Sequence, residues 1–173
     1  MMEIDRLSKD DAYGVMRELL YAFNMMWFLS DEWVKKYCPE KHNNEDYLAM
    51  LEKFGAYEAK RLAHVLDISK RNCDTFVKFL KHSHWAVFED VEIEKVSATS
   101  FTMQTIDCST QRAAKKWGME YYDCGHTGCL IRKGFFGAIH SDVKVARLFT
   151  PPDQRPEGVS AQVSCKWRVA IEK

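Results

Sequence analysis

Residues 161–171 read AQVSCKWRVAI, and apolar side chains alternate with polar ones along this stretch. The apolar set is Ala161, Val163, Cys165, Trp167, Val169 and Ile171. A period of two is typical of a strand with one buried face and one face toward solvent. The C-terminus therefore predicts a sheet that is covered on one side, with Cys165 on the covered side.

The rest of the second half shows related patterns. Val91, Ile93 and residues 99–106 are rich in β-branched and aromatic side chains, which predicts a hairpin that turns near residues 95–98. Residues 143–149 predict another strand. Residues 111–117, with Gly118 at the C-terminal cap position, and residues 130–139 predict two inserted helices.

The first half has the three-to-four spacing of helices. This spacing runs from Asp10 to about Tyr37, then from a cap at Asn43 or Asn44 to about Leu66, and again from a cap at Asp74. The predicted fold class is α+β, with N-terminal helices packed on one face of a C-terminal antiparallel sheet with inserted helices. A chain of 173 residues predicts a single domain, residues 1–173, with a helical half at about 10–85 and a sheet-containing half at about 86–173.

Charge and composition argue against binding to nucleic acids or membranes. Twenty-five basic residues balance twenty-five acidic ones, so no global field attracts a nucleic acid or an anionic membrane. The sequence contains neither an apolar run of about 18 residues nor a secretory signal. Because a core of this size has little need of disulfides, we expect the six cysteines to be thiols of a cytoplasmic protein. A small-molecule ligand or substrate is the expected partner, and the oligomeric state stays open.

Glu58 interrupts the apolar strip of the second predicted helix. Positions 51, 55, 58, 62 and 65 share one side of that helix, which places a carboxylate among apolar residues. Such a group needs a partner or stays protonated. Two interpretations remain open: an acid that faces a ligand, or a structural bond to another element.

The segment from Cys124 to Cys129 contains His126 and two glycines, which predicts a Gly-rich turn. One interpretation is a reactive thiolate at Cys124, and another is a metal site formed with Cys108 and Cys165. A third is that these are ordinary core thiols. Cys108 precedes a helix start, where free N–H groups favour an anion. We expect the three sulfurs to face one cavity, with Glu58 on its helical wall.

Several segments together resemble a known family. These segments are residues 27–32 (WFLSDE), 58–61 (EAKR), 108–112 (CSTQR), Cys124, the proline-rich loop at 151–156 and 165–167 (CKW). Their order resembles an uncharacterised prokaryotic family that is loosely grouped with L-2-amino-thiazoline-4-carboxylic acid hydrolase-like proteins. The resemblance implies a cytosolic α+β protein of small-molecule type, with Glu58, Gln111, Arg112, Cys108, Cys124 and Cys165 at the family's recurrent positions.

The first functional hypothesis is a hydrolase-like enzyme that acts on a C–N or C–S bond. Cys124 attacks or activates water, His126 moves the proton, and Glu58 protonates or orients a ring nitrogen, with Cys108 as a further catalytic candidate. Gln111 and Arg112 hold a substrate carboxylate, and Trp27 is a further substrate contact. The alternative is a sensor or binding module in which Cys108, Cys124 and Cys165 bind zinc, an iron–sulfur cluster or a haem-like ligand. A partner-binding scaffold is a third possibility. The cofactor is left open as a metal ion or none.

Overall fold

A computed structural model describes residues 7–42, 44–66 and 71–172. It contains helices and one four-stranded antiparallel sheet, which confirms the predicted α+β class. The chain divides into two compact units, residues 1–44 and 45–173. The expectation of a single domain stays a prediction. No helix within the described ranges has both the length and the apolar content that crossing a membrane requires.

The first unit consists of helix α1 (Lys9–Tyr37) and the short helix α2 (Pro39–His42). Ser8 caps α1 by accepting a hydrogen bond from the backbone N–H of Asp11. The buried carboxylate of Asp31 lies 2.9 Å from Lys35 Nζ and 2.9 Å from His42 Nε2. This ion pair network joins α2 to the last turns of α1.

The second unit contains five helices and four strands among its described residues. The helices are α3 (Glu45–Ala63), α4 (Cys73–Leu80), α5 (His84–Phe88), α6 (Ser109–Lys116) and α7 (Gly125–Gly137). The strands are β1 (Asp90–Lys95), β2 (Ser100–Asp107), β3 (Val143–Phe149) and β4 (Cys165–Ile171), in the sheet order β1-β2-β4-β3. The predicted hairpin is β1-β2, and β3 matches its predicted range.

The sheet has one covered face and one exposed face, as its alternation predicts. Met103 pairs with Trp167, and Thr105 pairs with Cys165, on the buried face of β2 and β4. Glu92 pairs with Gln104 on the other face. Phe76 of α4 and Phe136 of α7 pack on the buried face, with ring centroids 6.3 Å and 5.9 Å from that of Phe101. Helices α4 and α7 therefore supply the apolar layer that the sheet buries.

Two glycines allow α3 and α7 to cross at close range. A methyl group built on Gly134 would collide with the backbone oxygen of Glu52, and one on Gly55 would collide with the backbone oxygen of Ile131. Neither position has room for a side chain. The glycine in the middle of α7 that weakens a helix prediction is thus required by the packing of that helix.

Four boundaries differ from the sequence prediction. Helix α7 begins at Gly125, so the Gly-rich turn predicted at 124–129 is wrong and these residues form its first turns. Strand β4 begins at Cys165 rather than Ala161. Helix α4 is capped by Asn72, whose side chain accepts from the N–H of Thr75, rather than by Asp74. Helix α6 begins at Ser109 rather than at residue 111, with Cys108 at its N-cap, while Gly118 adopts φ +76° as predicted.

Candidate functional site

The candidate site lies where β2 leads into α6. Cys108, between the two elements, is buried, and Cys165 on β4 is buried opposite Thr105 of β2. Cys124 is the N-cap residue of α7. Besides desolvation, the charges of Cys124 and Cys165 raise the pKa of Cys108, and the charge of Cys165 raises the pKa of Cys124. The three predicted cysteines therefore share one neighbourhood.

Glu89 provides the carboxylate of this neighbourhood. Its Oε1 accepts from Cys108 Sγ at 3.5 Å and from Ser109 Oγ at 3.4 Å. Its Oε2 accepts from Thr105 Oγ1 at 3.4 Å. Glu89 follows α5 directly and precedes β1, so the chain reversal between these elements positions the carboxylate beside the start of α6. Among the described residues, Glu89 is the only carboxylate that bonds a cysteine of the cluster.

Burial raises the pKa values of two of these thiols, Cys108 and Cys124. Desolvation, followed by the charge of Glu89, raises the pKa of Cys108 well above its ordinary value, while the backbone N–H of Gln111 opposes the shift. Desolvation, followed by the charge of Cys165, raises the pKa of Cys124 to about 12, and Arg132 opposes that shift. A thiol in either position reacts as a thiolate only when a base takes its proton during the reaction.

Arg132 is a buried cation beside the thiols. Only 5% of its surface is exposed, and its guanidinium carbon lies 4.8 Å from the ring centroid of Trp85 and 4.4 Å from that of Trp167. Its Nη1 donates to the backbone oxygen of Gly128 at 3.1 Å, whereas Nε has no hydrogen-bond partner. No carboxylate from the described ranges forms an ion pair with it. Cation–π contacts offset part of the cost of burying the charge.

Thr150 lies near the same helical turn. Its side chain is fully buried, and Oγ1 has no hydrogen-bond partner. A methyl group built on Gly125 would lie 2.9 Å from this oxygen and would collide with the guanidinium of Arg147. Asp123 accepts a hydrogen bond from the N–H of Gly125 at 3.0 Å. The first turn of α7 is therefore surrounded by Thr150, Arg147 and, at Gly128, Arg132.

Glu58 is engaged with α5. Its Oε1 accepts from the backbone N–H of His84 at 2.6 Å, and its Oε2 lies 2.6 Å from His84 Nδ1. Both oxygens therefore hold the N-terminus of α5, which leads to Trp85 and Glu89. This geometry agrees with the structural interpretation of Glu58, and its role as a catalytic acid stays a prediction.

The two residues predicted to hold a substrate carboxylate have protein partners. Gln111 donates to the backbone oxygen of Tyr122 at 2.7 Å and accepts from its N–H at 3.1 Å, so its amide ties the segment before Cys124 to α6. Arg112 forms an ion pair with Asp107 and donates to the backbone oxygen of Phe88 at 3.4 Å. These contacts position the site, whereas direct substrate contact by Gln111 or Arg112 stays a prediction.

The remaining residues of the predicted site are His126, Trp27 and the cysteines. His126 is exposed in the first turn of α7. Trp27 belongs to α1, in the first unit, and is 38% exposed. All six cysteines are free thiols. The described ranges contain no group of three histidine, cysteine, aspartate or glutamate side chains placed to hold a metal ion, so the predicted set Cys108, Cys124 and Cys165 is close in space without forming such a group.

Sequence reasoning missed Glu89, Arg132 and Thr150. A signal existed for Arg132, because positions 128, 132, 135 and 136 share one side of a helix, and a charge among apolar residues is as unusual there as at Glu58. Glu89 and Thr150 lie between elements, where periodicity carries no information about burial.

Comparison with known proteins identifies a family. DUF6125, described as a family of unknown function, matches residues 5–171. No curated protein and no solved structure matches the chain. The match agrees with the predicted resemblance to an uncharacterised family, and it shows no link to L-2-amino-thiazoline-4-carboxylic acid hydrolase-like proteins.

Proposed function

The chain belongs to the DUF6125 family, and we propose that it is a hydrolase-like enzyme that cleaves a C–N or C–S bond of a small molecule with a cysteine nucleophile. The observation that carries the proposal is the contact between Cys108 and Glu89 in a buried cluster of thiols. A carboxylate within reach of a thiol is the pairing of base and nucleophile that covalent catalysis requires.

Cys108 is a better nucleophile than Cys124 in this arrangement. Burial raises the pKa of both thiols, but Cys124 forms no side-chain hydrogen bond among the described residues and so has no base beside its sulfur. Cys108 has a base at 3.5 Å, and the backbone N–H of Gln111 favours its thiolate. The free N–H groups at the start of α6 add to that preference for negative charge.

The proposed reaction has two halves. Glu89 takes the proton of Cys108 while the sulfur bonds to an amide-, amidine- or thioester-like carbon, whose π electrons move to its heteroatom. The adduct then collapses, the C–N or C–S bond breaks, and Glu89 returns the proton to the leaving nitrogen or sulfur. Water, losing its proton to Glu89, attacks the S-acyl intermediate, or the S-imidoyl intermediate that an amidine gives, and the proton passes to the departing Cys108 sulfur.

The same proposal includes a location in the cell and a family relationship. We place the protein in the cytoplasm, because its six cysteines are free thiols and disulfides are rare in that reducing compartment. The metal-binding alternative has no supporting cluster among residues 7–42, 44–66 and 71–172. The kinship with L-2-amino-thiazoline-4-carboxylic acid hydrolase-like proteins remains part of this proposal.

The test is acyl transfer from a small activated thioester, 4-nitrothiophenyl acetate, to the native protein. We expect an acetyl group on Cys108 in peptide mass mapping, and release of nitrothiophenol that depends on Cys108. Cys108→Ser removes both signals, and Glu89→Gln slows acetylation by about 100-fold or more, since general-base catalysis contributes about that factor.

Cys38→Ser is the matched control, because Cys38 is a partly exposed thiol of the first unit. It keeps the rate of the wild-type protein. Acetylation confined to cysteines other than Cys108, or a Glu89→Gln variant as fast as the wild type, would contradict the proposal.

A further inference from the structure

The two buried, unpartnered polar atoms among the described side chains lie beside the same helical turn. They are Arg132 Nε and Thr150 Oγ1. Arg132 contacts that turn at Gly128, and Thr150 lies next to Gly125. Buried polar groups in folded proteins almost always have a partner, so two orphans at one turn point to a group that binds there.

The charges around this turn favour an anion. Arg132 is 95% buried without an ion pair from the described ranges, and the guanidinium of Arg147 lies against Gly125. The dipole and free N–H groups of the 13-residue helix α7 add positive potential at the same end. Asp153 lies 3.4 Å from Arg147 Nε, and Asp123 bonds the N–H of Gly125, so Arg132 is the cation left without a carboxylate.

We propose that the first turn of α7 is a carboxylate-binding subsite, in which Arg132 and Thr150 hold a carboxylate of the substrate beside Cys124. This subsite rests on the proposed function, because only that function makes the bound carboxylate part of a substrate. The subsite then specifies the substrate class as a small carboxylic acid that also bears the C–N or C–S bond.

The chemistry of the donors selects a carboxylate. The guanidinium carbon of Arg132 lies 4.8 Å from the Trp85 centroid and 4.4 Å from the Trp167 centroid, and Nη1 is bonded to Gly128, so Nε is the buried donor that lacks a partner. One guanidinium edge matches the two oxygens of a planar carboxylate. The Thr150 hydroxyl supplies one further donor. A phosphate dianion requires more donors than this pair provides.

Gly125 and Gly128 leave room beside the first turn of α7 that a side chain would fill. A methyl group on Gly128 would lie 3.0 Å from Arg132 Nη1 and 3.5 Å from the Trp167 ring, and one on Gly125 would reach Thr150 and Arg147. The bare backbone leaves these four side chains directly against the helix start.

The experiment compares two isosteric probes, acetate and acetamide, at equal ionic strength. Binding is followed by tryptophan fluorescence, because Trp85 and Trp167 flank Arg132, and by the shift in melting temperature. We expect the wild-type protein to bind acetate at least about 10-fold more tightly than acetamide, since a charge-assisted pair is the stronger bond.

Thr150→Val is the decisive variant. It keeps the shape of the side chain and removes a hydroxyl that has no partner, so the ligand-free protein should melt at or above the wild-type temperature. Acetate affinity should fall about five-fold, the value of one hydrogen bond. Arg132→Lys should lose at least about 10-fold because an ammonium lacks the planar fork. Arg168→Gln, which removes an exposed arginine from the solvent face of β4, should bind acetate like the wild type.

The outcomes separate the subsite from the proposed reaction. Cys108→Ser should bind acetate normally while losing acetylation, so a protein that binds acetate without being acetylated keeps the subsite and loses the hydrolase. Equal affinity for acetate and acetamide, tighter binding of inorganic phosphate than of acetate, or unchanged acetate affinity in Thr150→Val would each overturn the subsite. If Arg132→Lys does not fold, the Thr150→Val result decides alone.

Discussion

The substitution Gly134→Ala tests the close crossing of α3 and α7. Helix α7 also forms part of the candidate site. The new methyl group would collide with the backbone oxygen of Glu52 and would lie 2.8 Å from its carbonyl carbon and 3.1 Å from the backbone nitrogen of Ala56. All three atoms belong to a helix backbone, so no side chain can rotate away. The two helices have to separate, which loosens the core between α7 and the sheet.

Two opposing contributions set the expected change in the free energy of unfolding. Alanine is favoured over glycine in a helix by about 1 kcal/mol. Overpacking a well-packed interface costs about 1–3 kcal/mol, and a collision with rigid backbone belongs at or above the upper end of that range. We therefore expect the free energy of unfolding to fall by about 2 kcal/mol after both terms are combined.

The assay is urea denaturation followed by tryptophan fluorescence. A loss of about 2 kcal/mol lowers the midpoint by about 1 M urea, for a slope of about 2 kcal/mol per molar. Gly137→Ala in the same helix is the matched control, because a methyl group there meets nothing within 4 Å, and it should leave the midpoint unchanged or raise it. A Gly134→Ala midpoint at or above that of the wild type would refute the close crossing.

Two further predictions follow from the site. Cys108 and Cys124 have pKa values above those of unfolded thiols, so the folded form keeps protons that the unfolded chain has lost above about pH 9, and stability should fall there by about 1.4 kcal/mol per pH unit per thiol. Urea melts between pH 8 and 10 should show a shallower decline in Cys124→Ser than in the wild type, and parallel declines would contradict the raised pKa of Cys124. Glu58→Ala should lower the free energy of unfolding by about 1–3 kcal/mol, because it leaves the His84 N–H without its partner. Glu58→Gln, which keeps one acceptor, should lose less in the same melts, and two equal losses would show that the bond to the His84 N–H contributes little.

The sequence by itself determined the features that depend on neighbours along the chain. Alternation in residues 161–171 and 99–106 predicts strands with one buried face, because successive side chains point to opposite sides of a strand wherever it lies. Gly118 was identifiable as a helix cap, since its positive φ is a local requirement. The spacing of apolar residues likewise indicated the long helices of the first half.

The tertiary structure decided the features that depend on pairing across the chain. Helix α7 begins at Gly125 because its glycines fit the backbone of α3 and the arginines beside its first turn, a benefit that helix propensity does not contain. Glu58 meets His84, 26 residues away, and Glu89 meets Cys108, 19 residues away. A sequence pattern shows that a charged or reactive group is out of place, whereas its partner is set by which elements the packed core brings together.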